Sequence, residues 1–218
     1  SLADHATKLL RNAKLLPAAL MVRLPFRDVA AQGRFSQEHN ILVLEARDLK
    51  SYNHQTGAMM RIAARAQVPL AVAKDAEVVM FRTEVGGEDH FAVLIGSATD
   101  LEVPLVRLHS QCITGDILGS LKCDCGEQLQ AAMCLMAENG GGVLIYLAQE
   151  GRNIGLLNKM RAYALQDKGL DTVDANHALG FDTDERVFLP AARILDALGI
   201  ARLRLITNNP DKISQLEK

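Results

Sequence analysis

The sequence predicts an α/β domain, with an α+β arrangement as the near alternative, built on a mixed sheet flanked by helices and preceded by a small α/β extension. Three observations carry that expectation. Beyond residue 76, short apolar runs alternate with segments of helical spacing. Two of those runs bracket the turn residues Gly86-Gly-Glu-Asp, the pattern of an antiparallel hairpin. The stretch Asn139-Gly-Gly-Gly142 then separates a helical pattern from an apolar run, a strong helix stop.

In chain order, apolar positions at helical spacing over residues 4–15 predict a first helix, which Pro17 ends. Ile41–Leu44 reads as a strand, Met59–Ala66 as a helix and Pro69–Ala73 as a second strand. That β-α-β pattern makes residues 1–75 an extension of their own, with a seam near Lys74–Ala76, and leaves residues 76–218 as the main domain. In the main domain Glu77–Arg82 and Phe91–Ile95 are the hairpin strands, and Val103–Leu108 is a third strand. A helix over Glu127–Glu138 precedes the buried strand Val143–Leu147, and the loop Gln149–Gly155 hangs from the end of that strand. A helix to about Lys168, another over Ala191–Leu198, the strand Leu203–Ile206 and a helix opened by Thr207-Asn-Asn-Pro210 complete the pattern.

Composition narrows the function classes. The chain has 218 residues, 49% of them hydrophobic, enough for a sizeable core. Its formal charge of −2 argues against a general nucleic-acid binder, though it leaves room for a local basic pocket. No apolar run reaches the roughly 18 residues of a membrane span, so no membrane partner is expected. The first residues show no basic region followed by an apolar stretch, and three of the four cysteines are clustered, which suits reduced thiols. The expected compartment is the cytoplasm.

Those three cysteines, Cys112, Cys123 and Cys125, are the most informative residues. Two thiols one residue apart, with a third upstream, can converge on one soft cation, and zinc accepts thiolates readily. Three protein ligands leave a position for water, the mark of a reactive metal. Spacing alone leaves a second arrangement open, a closed structural site with His109 as fourth ligand, because His-x-x-Cys is also an acceptable spacing. Cys134, among Leu129, Met133 and Met136 on a helix, reads as a packed thiol. His5, His39, His54 and His90 stand in polar stretches and read as solvated.

From about Val79 onward the chain resembles the GTP cyclohydrolase II family of riboflavin biosynthesis. The matching motifs are Arg107-Leu-His-Ser-Gln-Cys-Ile-Thr-Gly-Asp, Lys122-Cys-Asp-Cys-Gly, Gln149-Glu-Gly-Arg-Asn-Ile-Gly-Leu-Leu-Asn-Lys, Arg161-Ala-Tyr-Ala-Leu-Gln-Asp, Asp174-Ala-Asn-His-Ala-Leu-Gly, Asp184-Glu-Arg and Leu205-Ile-Thr-Asn-Asn-Pro. The resemblance implies hydrolysis of GTP that opens the guanine imidazole ring, releasing formate and pyrophosphate to leave a diaminopyrimidinone ribosyl monophosphate. It implies one catalytic zinc per chain on Cys112, Cys123 and Cys125, with Mg²⁺ accompanying the triphosphate, and a homodimer. Tyr163 then corresponds to a catalytic tyrosine that orients or protonates the opening ring. Asp184 and Arg186 correspond to residues acting at the α-phosphorus, where the arginine attacks or clamps the phosphate. A guanidinium is a poor nucleophile at its normal pKa, so the clamp is physically easier. The implied substrate contacts are Arg107, Leu108, His109, Ser110, Gln111, Gln128, Glu150, Gly151, Arg152, Thr172, Thr207 and Lys212. Among them, Gln128 reads the guanine edge through its amide and Glu150 accepts from the base's amino group.

Two departures stand out: the family usually carries Glu where Gln111 stands, and it continues past the Asn-Asn-Pro motif, whereas this sequence ends at Lys218. The first 75 residues lack the acidic motif of the dihydroxybutanone-phosphate synthases that often precede this domain, so a second activity is not expected there. The alternative function is a GTP-binding regulatory protein on the same domain without ring opening. Retention of all three cysteines, Tyr163, Asp184 and Arg186 weighs against it.

Overall fold

The computed structural model describes residues 1–49, 51–52, 60–83 and 87–217. Among them runs a six-stranded mixed sheet in the order β1-β2-β3-β5-β4-β6, formed by β1 (Met60–Gln67), β2 (Glu77–Thr83), β3 (His90–Gly96), β4 (Leu105–Ser110), β5 (Gly141–Leu147) and β6 (Arg204–Leu205). The first three strands and β5 pair antiparallel; the hairpin pattern predicts the β2–β3 pair, in which Phe81 stands opposite His90 beside the turn. The tip of that turn, including Gly86, lies outside the described residues. Strand β4 instead lies parallel to both β5 and β6. Three neighbouring strands therefore open their carboxyl ends in one direction, the arrangement in which α/β sheets bind ligands.

Alternation along the central strands fills both faces of the sheet. Val143, Ile145 and Leu147 point to one side with Val106 and Leu108, against Ala191 and Ile194 of α7 (Leu189–Ala197) and its N-cap residue Phe188. Leu144, Val93 and Ile95 point to the other, against Met133 and Met136 of α4 (Cys125–Glu138). A sheet buried on both faces needs near-continuous apolar strands, which explains the texture of residues 143–147. Cys134 faces outward on α4 and is exposed, contrary to the packed thiol expected from its neighbours.

The part before residue 76 departs most from expectation. The segment expected as a helix is β1, an edge strand whose pairing with β2 overrides the helical preference of its alanines and arginines. Met59 itself lies outside the described residues. The expected strand Pro69–Ala73 is a tight turn, in which the Leu70 and Ala73 backbones bond reciprocally, and Ala73 and Ala76 are buried beneath α4. The Lys74–Ala76 seam thus falls within the loop of a hairpin rather than between two units, and the sheet begins at Met60. The expected strand at residues 41–44 has no regular structure; helices α1 (Leu2–Asn12) and α2 (Val29–Glu38) precede it. A capping box at Ser1 and Asp4 starts α1. Beyond its end, the Lys14 carbonyl accepts a hydrogen bond from the buried Asn158 side chain at 2.8 Å, while Arg11 bonds the Gly180 carbonyl and Asp182.

His90 is buried rather than solvated. Its Nδ1 accepts from the Ala148 amide at 3.0 Å, and burial holds the imidazole down at about 4. His54 lies outside the described residues. No helix among the described residues is long and apolar enough to cross a membrane.

Leu108, fully buried on β4, offers a test of this core. Leu108→Ala is expected to lower the unfolding free energy by about 2–5 kcal/mol, read by urea denaturation.

Candidate metal and nucleotide site

The carboxyl end of β4 delivers the chain to Gln111 and Cys112, after which the one-turn helix α3 (Ile113–Asp116) reverses it. Cys125 is the first residue of α4, two residues earlier than the expected helix start, and Cys123 lies just ahead of it. The sulfurs of Cys112, Cys123 and Cys125 all lie within 4.8 Å of one another and form a group able to hold a metal ion. Cys112 and Cys123 are 3.6 Å apart.

Backbone contact makes this convergence possible. A Cβ on Gly115 would sit 2.8 Å from the Cys123 sulfur and 3.2 Å from that of Cys112, while one on Gly126 would lie 2.4 Å from the Gly115 carbonyl oxygen. Only glycine lets the two cysteine segments touch. Burial and the neighbouring sulfurs push the Cys125 thiol well above its ordinary value, as expected for thiols gathered where a cation would neutralise them. The donor set is soft, close and crowded, and it fits zinc.

His109 does not join the sulfurs. Its Nε2 lies 3.0 Å from the Asp116 carboxylate, which also accepts from the Tyr146 hydroxyl and the Cys112 amide. This buried network braces Cys112 from behind, so the closed site with His109 as fourth ligand is not formed. His109 and Leu108, both expected as substrate contacts, face inward because alternation along β4 turns Leu108 into the core and the Asp116 bond draws in the His109 ring.

In front of the sulfurs lies a cavity of about 480 Å³. Arg107, Ser110, Gln111, Gln128, Gly151, Arg152, Tyr163, Thr172, Arg186 and Lys212 all line it, together with the three cysteines. Tyr163 comes from α5 (Leu156–Gln166), and its hydroxyl lies 3.4 Å from Thr114 Oγ1. The ammonium groups of Lys122 and Lys159 stand 5.1 and 5.8 Å from its ring centroid. Gln128 is held in one orientation: Arg107 donates to its Oε1, and its Nε2 donates to Asp124.

The cavity is strongly basic although the chain is not. Arg107 is buried; its Nη groups donate to the Ile206 carbonyl and to Gln128, and its Nε is buried without a hydrogen-bond partner. Burial and the charges of Arg107 and Arg186 push Lys212 down to about 8. Asp184 does not line the cavity; it grips Arg186, accepting from its Nε at 2.8 Å. Burial would raise the Asp184 carboxyl, but its bonds to Arg186 hold it below the usual carboxylate range.

Two loops are stitched together here. Gly151, Arg152 and Asn153 all have positive φ, so three successive residues occupy the left-handed region. Their turn is held by Arg152 and Asn153 side chains donating to the Thr183 and Glu185 carbonyls. The segment carrying Asp184 and Arg186 is thereby fixed to the loop that leaves β5. Thr207 accepts from the Asn209 amide and does not line the cavity, whereas Asn209, the N-cap of α8 (Pro210–Leu216), lines it. Glu150 is also withdrawn: Ile113 donates to one carboxylate oxygen and Lys159 to the other. It is not free to accept from a base. Thr172 lines the cavity from the start of α6 (Thr172–Ala178), a short helix capped by Asp171, whose side chain accepts from the Asp174 amide. Sequence reasoning also missed Lys159 and Thr114, although Lys159 stands four residues before Tyr163, one turn away on the same helical face. Among the described residues, none before Arg107 lines this cavity.

The chain matches the family model described as GTP cyclohydrolase II over residues 60–218. A GTP cyclohydrolase-2 of Azospirillum brasilense is 48% identical over 214 residues, 98% of this chain and 55% of that protein. A riboflavin biosynthesis protein RibBA of Salinispora tropica is 43% identical over 98% of this chain and 55% of its own length. A GTP cyclohydrolase-2 of Cronobacter sakazakii is 55% identical over 139 residues, 64% of this chain and 71% of that protein. The similarity reaches further back than Val79, and the chain spans little more than half the length of the first two relatives.

Gly115→Ala is expected to drive the sulfurs apart. Zinc bound per folded chain, measured by metal analysis after dialysis, should fall well below that of the unmodified protein.

Proposed function

Because the chain belongs to the GTP cyclohydrolase II family, we propose that it hydrolyses GTP, opening the imidazole ring of guanine and releasing formate and pyrophosphate, as an early step of riboflavin biosynthesis. The observation that carries this reading is the single basic cavity that holds three converging sulfurs, a tyrosine hydroxyl and a carboxylate-held arginine. Cys112, Cys123 and Cys125 would hold a zinc ion, which when bound would supply Lewis acidity.

The remaining work falls to the chain's own groups. The Tyr163 hydroxyl, beside Thr114, orients the ring that opens and hands it a proton. Gln128, its amide fixed by Arg107 and Asp124, presents donor and acceptor to the base edge. Arg152 and Lys212 meet the phosphates, and the buried Arg107 guanidinium adds positive charge behind them. The Asp184 carboxylate keeps the Arg186 guanidinium charged and aimed, which favours the electrostatic clamp at the α-phosphorus over attack by arginine. Gln111 adds no charge where the family usually has Glu, so the cavity keeps a more positive field. Mg²⁺ enters with the triphosphate, held mainly by its oxygens. We place the enzyme in the cytoplasm as a homodimer, a reading tested by mass in solution.

Incubation with GTP, Mg²⁺ and zinc followed by product identification tests the whole reading. Formate with a pyrimidine nucleotide supports it, whereas intact guanine bound without turnover supports a regulatory GTP-binding protein. Cys123→Ser is expected to abolish zinc retention and formate release together; normal turnover by that variant would refute the metal assignment. GTP affinity is expected to weaken as the pH rises through about 8, because Lys212 is an ammonium below that value and neutral above it. The loss of one charged contact amounts to about tenfold in Kd, and Lys212→Met should flatten that dependence in a binding titration.

A further inference from the structure

Lys159 has no part in the chemistry described above, yet its surroundings are unusual. Its side chain is 11% exposed, and its ammonium lies 3.0 Å from the Cys112 sulfur and 2.8 Å from Glu150 Oε1. The other oxygen of Glu150 accepts from the Ile113 amide at 2.7 Å, directly after Cys112. The carboxylate therefore holds both the lysine and the backbone that carries the sulfur. A buried ammonium has three N–H donors to satisfy; Glu150 takes one, and the Cys112 sulfur is the acceptor of another. Three thiolates around a divalent cation leave one net negative charge, and an ammonium against one of the sulfurs balances it.

We infer that Lys159 is a positioning residue of the metal centre: from outside the ligand set it hydrogen-bonds the Cys112 sulfur, fixes its direction and draws charge from it, with Glu150 as its anchor. The inference rests on the metal reading of the three cysteines and extends it to a residue that holds no metal itself. By drawing electron density from one ligand sulfur, Lys159 makes the centre a stronger Lewis acid. Its bond to Glu150 links that sulfur to the loop bearing Gly151 and Arg152, so the metal end and the phosphate end of the cavity share one brace.

Cobalt-substituted protein provides a readout independent of turnover, because sulfur-to-cobalt charge-transfer absorption reports the electron density on the ligand sulfurs. In Lys159→Met the band is expected to move to longer wavelength, and Lys159→Arg, which keeps a charged donor, should restore most of its position. With GTP, Lys159→Met is expected to lose about 10–100-fold in kcat, the usual scale for an outer ligand partner, with KM changed less than about threefold. Glu150→Gln, which preserves shape but loosens the lysine, should shift the band in the same direction by less, and it carries the test if Lys159→Met does not fold. An unchanged spectrum in a folded, cobalt-loaded variant overturns the inference. So does a large rise in KM with an unchanged spectrum, which would assign the ammonium to the substrate. Wild-type protein that takes up no cobalt would instead remove the metal reading beneath it.

Discussion

The site depends on the contact between the backbones of Gly115 and Gly126. Cys112 and the Cys123–Cys125 pair arrive from different elements, one at the end of a strand and the other at the start of a helix. Their sulfurs converge because two glycines let the segments close to a distance that any side chain would block. The Asp116 carboxylate, which gathers His109, Tyr146 and the Cys112 amide, locks that contact from behind. Buried carboxylates with several donors are expensive to disturb, so the brace is rigid.

Around that contact the sheet sets the direction of approach. Parallel pairing of β4 with β5 and β6 brings three chain segments to one edge, and each contributes a different chemistry: sulfur from β4, the Gly151–Arg152 turn from β5, and the Asn209–Lys212 helix entry from β6. Positive charge is concentrated where those segments meet. Burial, with the neighbouring charges of Arg107 and Arg186, pushes Lys212 down, so the pocket favours an anion that would offset this positive charge. The N-terminal helix does not line this pocket but ties down the loops behind it through Arg11 and the Lys14 carbonyl.

How much was legible in the sequence varied along the chain. The strands at 77–83, 90–96 and 141–147 were readable because each is apolar, short and bounded by turn residues. Before residue 76 the local signals misled. Met60–Gln67 carries good helix formers, and only its partner β2 makes it a strand; Ile41–Leu44 has strand composition but lacks a partner among the described residues. The cysteine triplet was visible from spacing, whereas the glycines that bring it together were legible only as members of a motif. Glu150 and His109 carried the right chemistry for the site but are held by Lys159, Ile113 and Asp116.

The sequence by itself determined which residues can bind a soft cation, where the central strands lie and which family the chain resembles, because these follow from residue type and short-range spacing. Tertiary structure alone decided that His109 turns to Asp116 and away from the three sulfurs, that Glu150 bonds Lys159, and that Asp184 bonds Arg186. A polar group's role depends on which partner meets it first, and the fold brings those partners together across distances that no local pattern encodes.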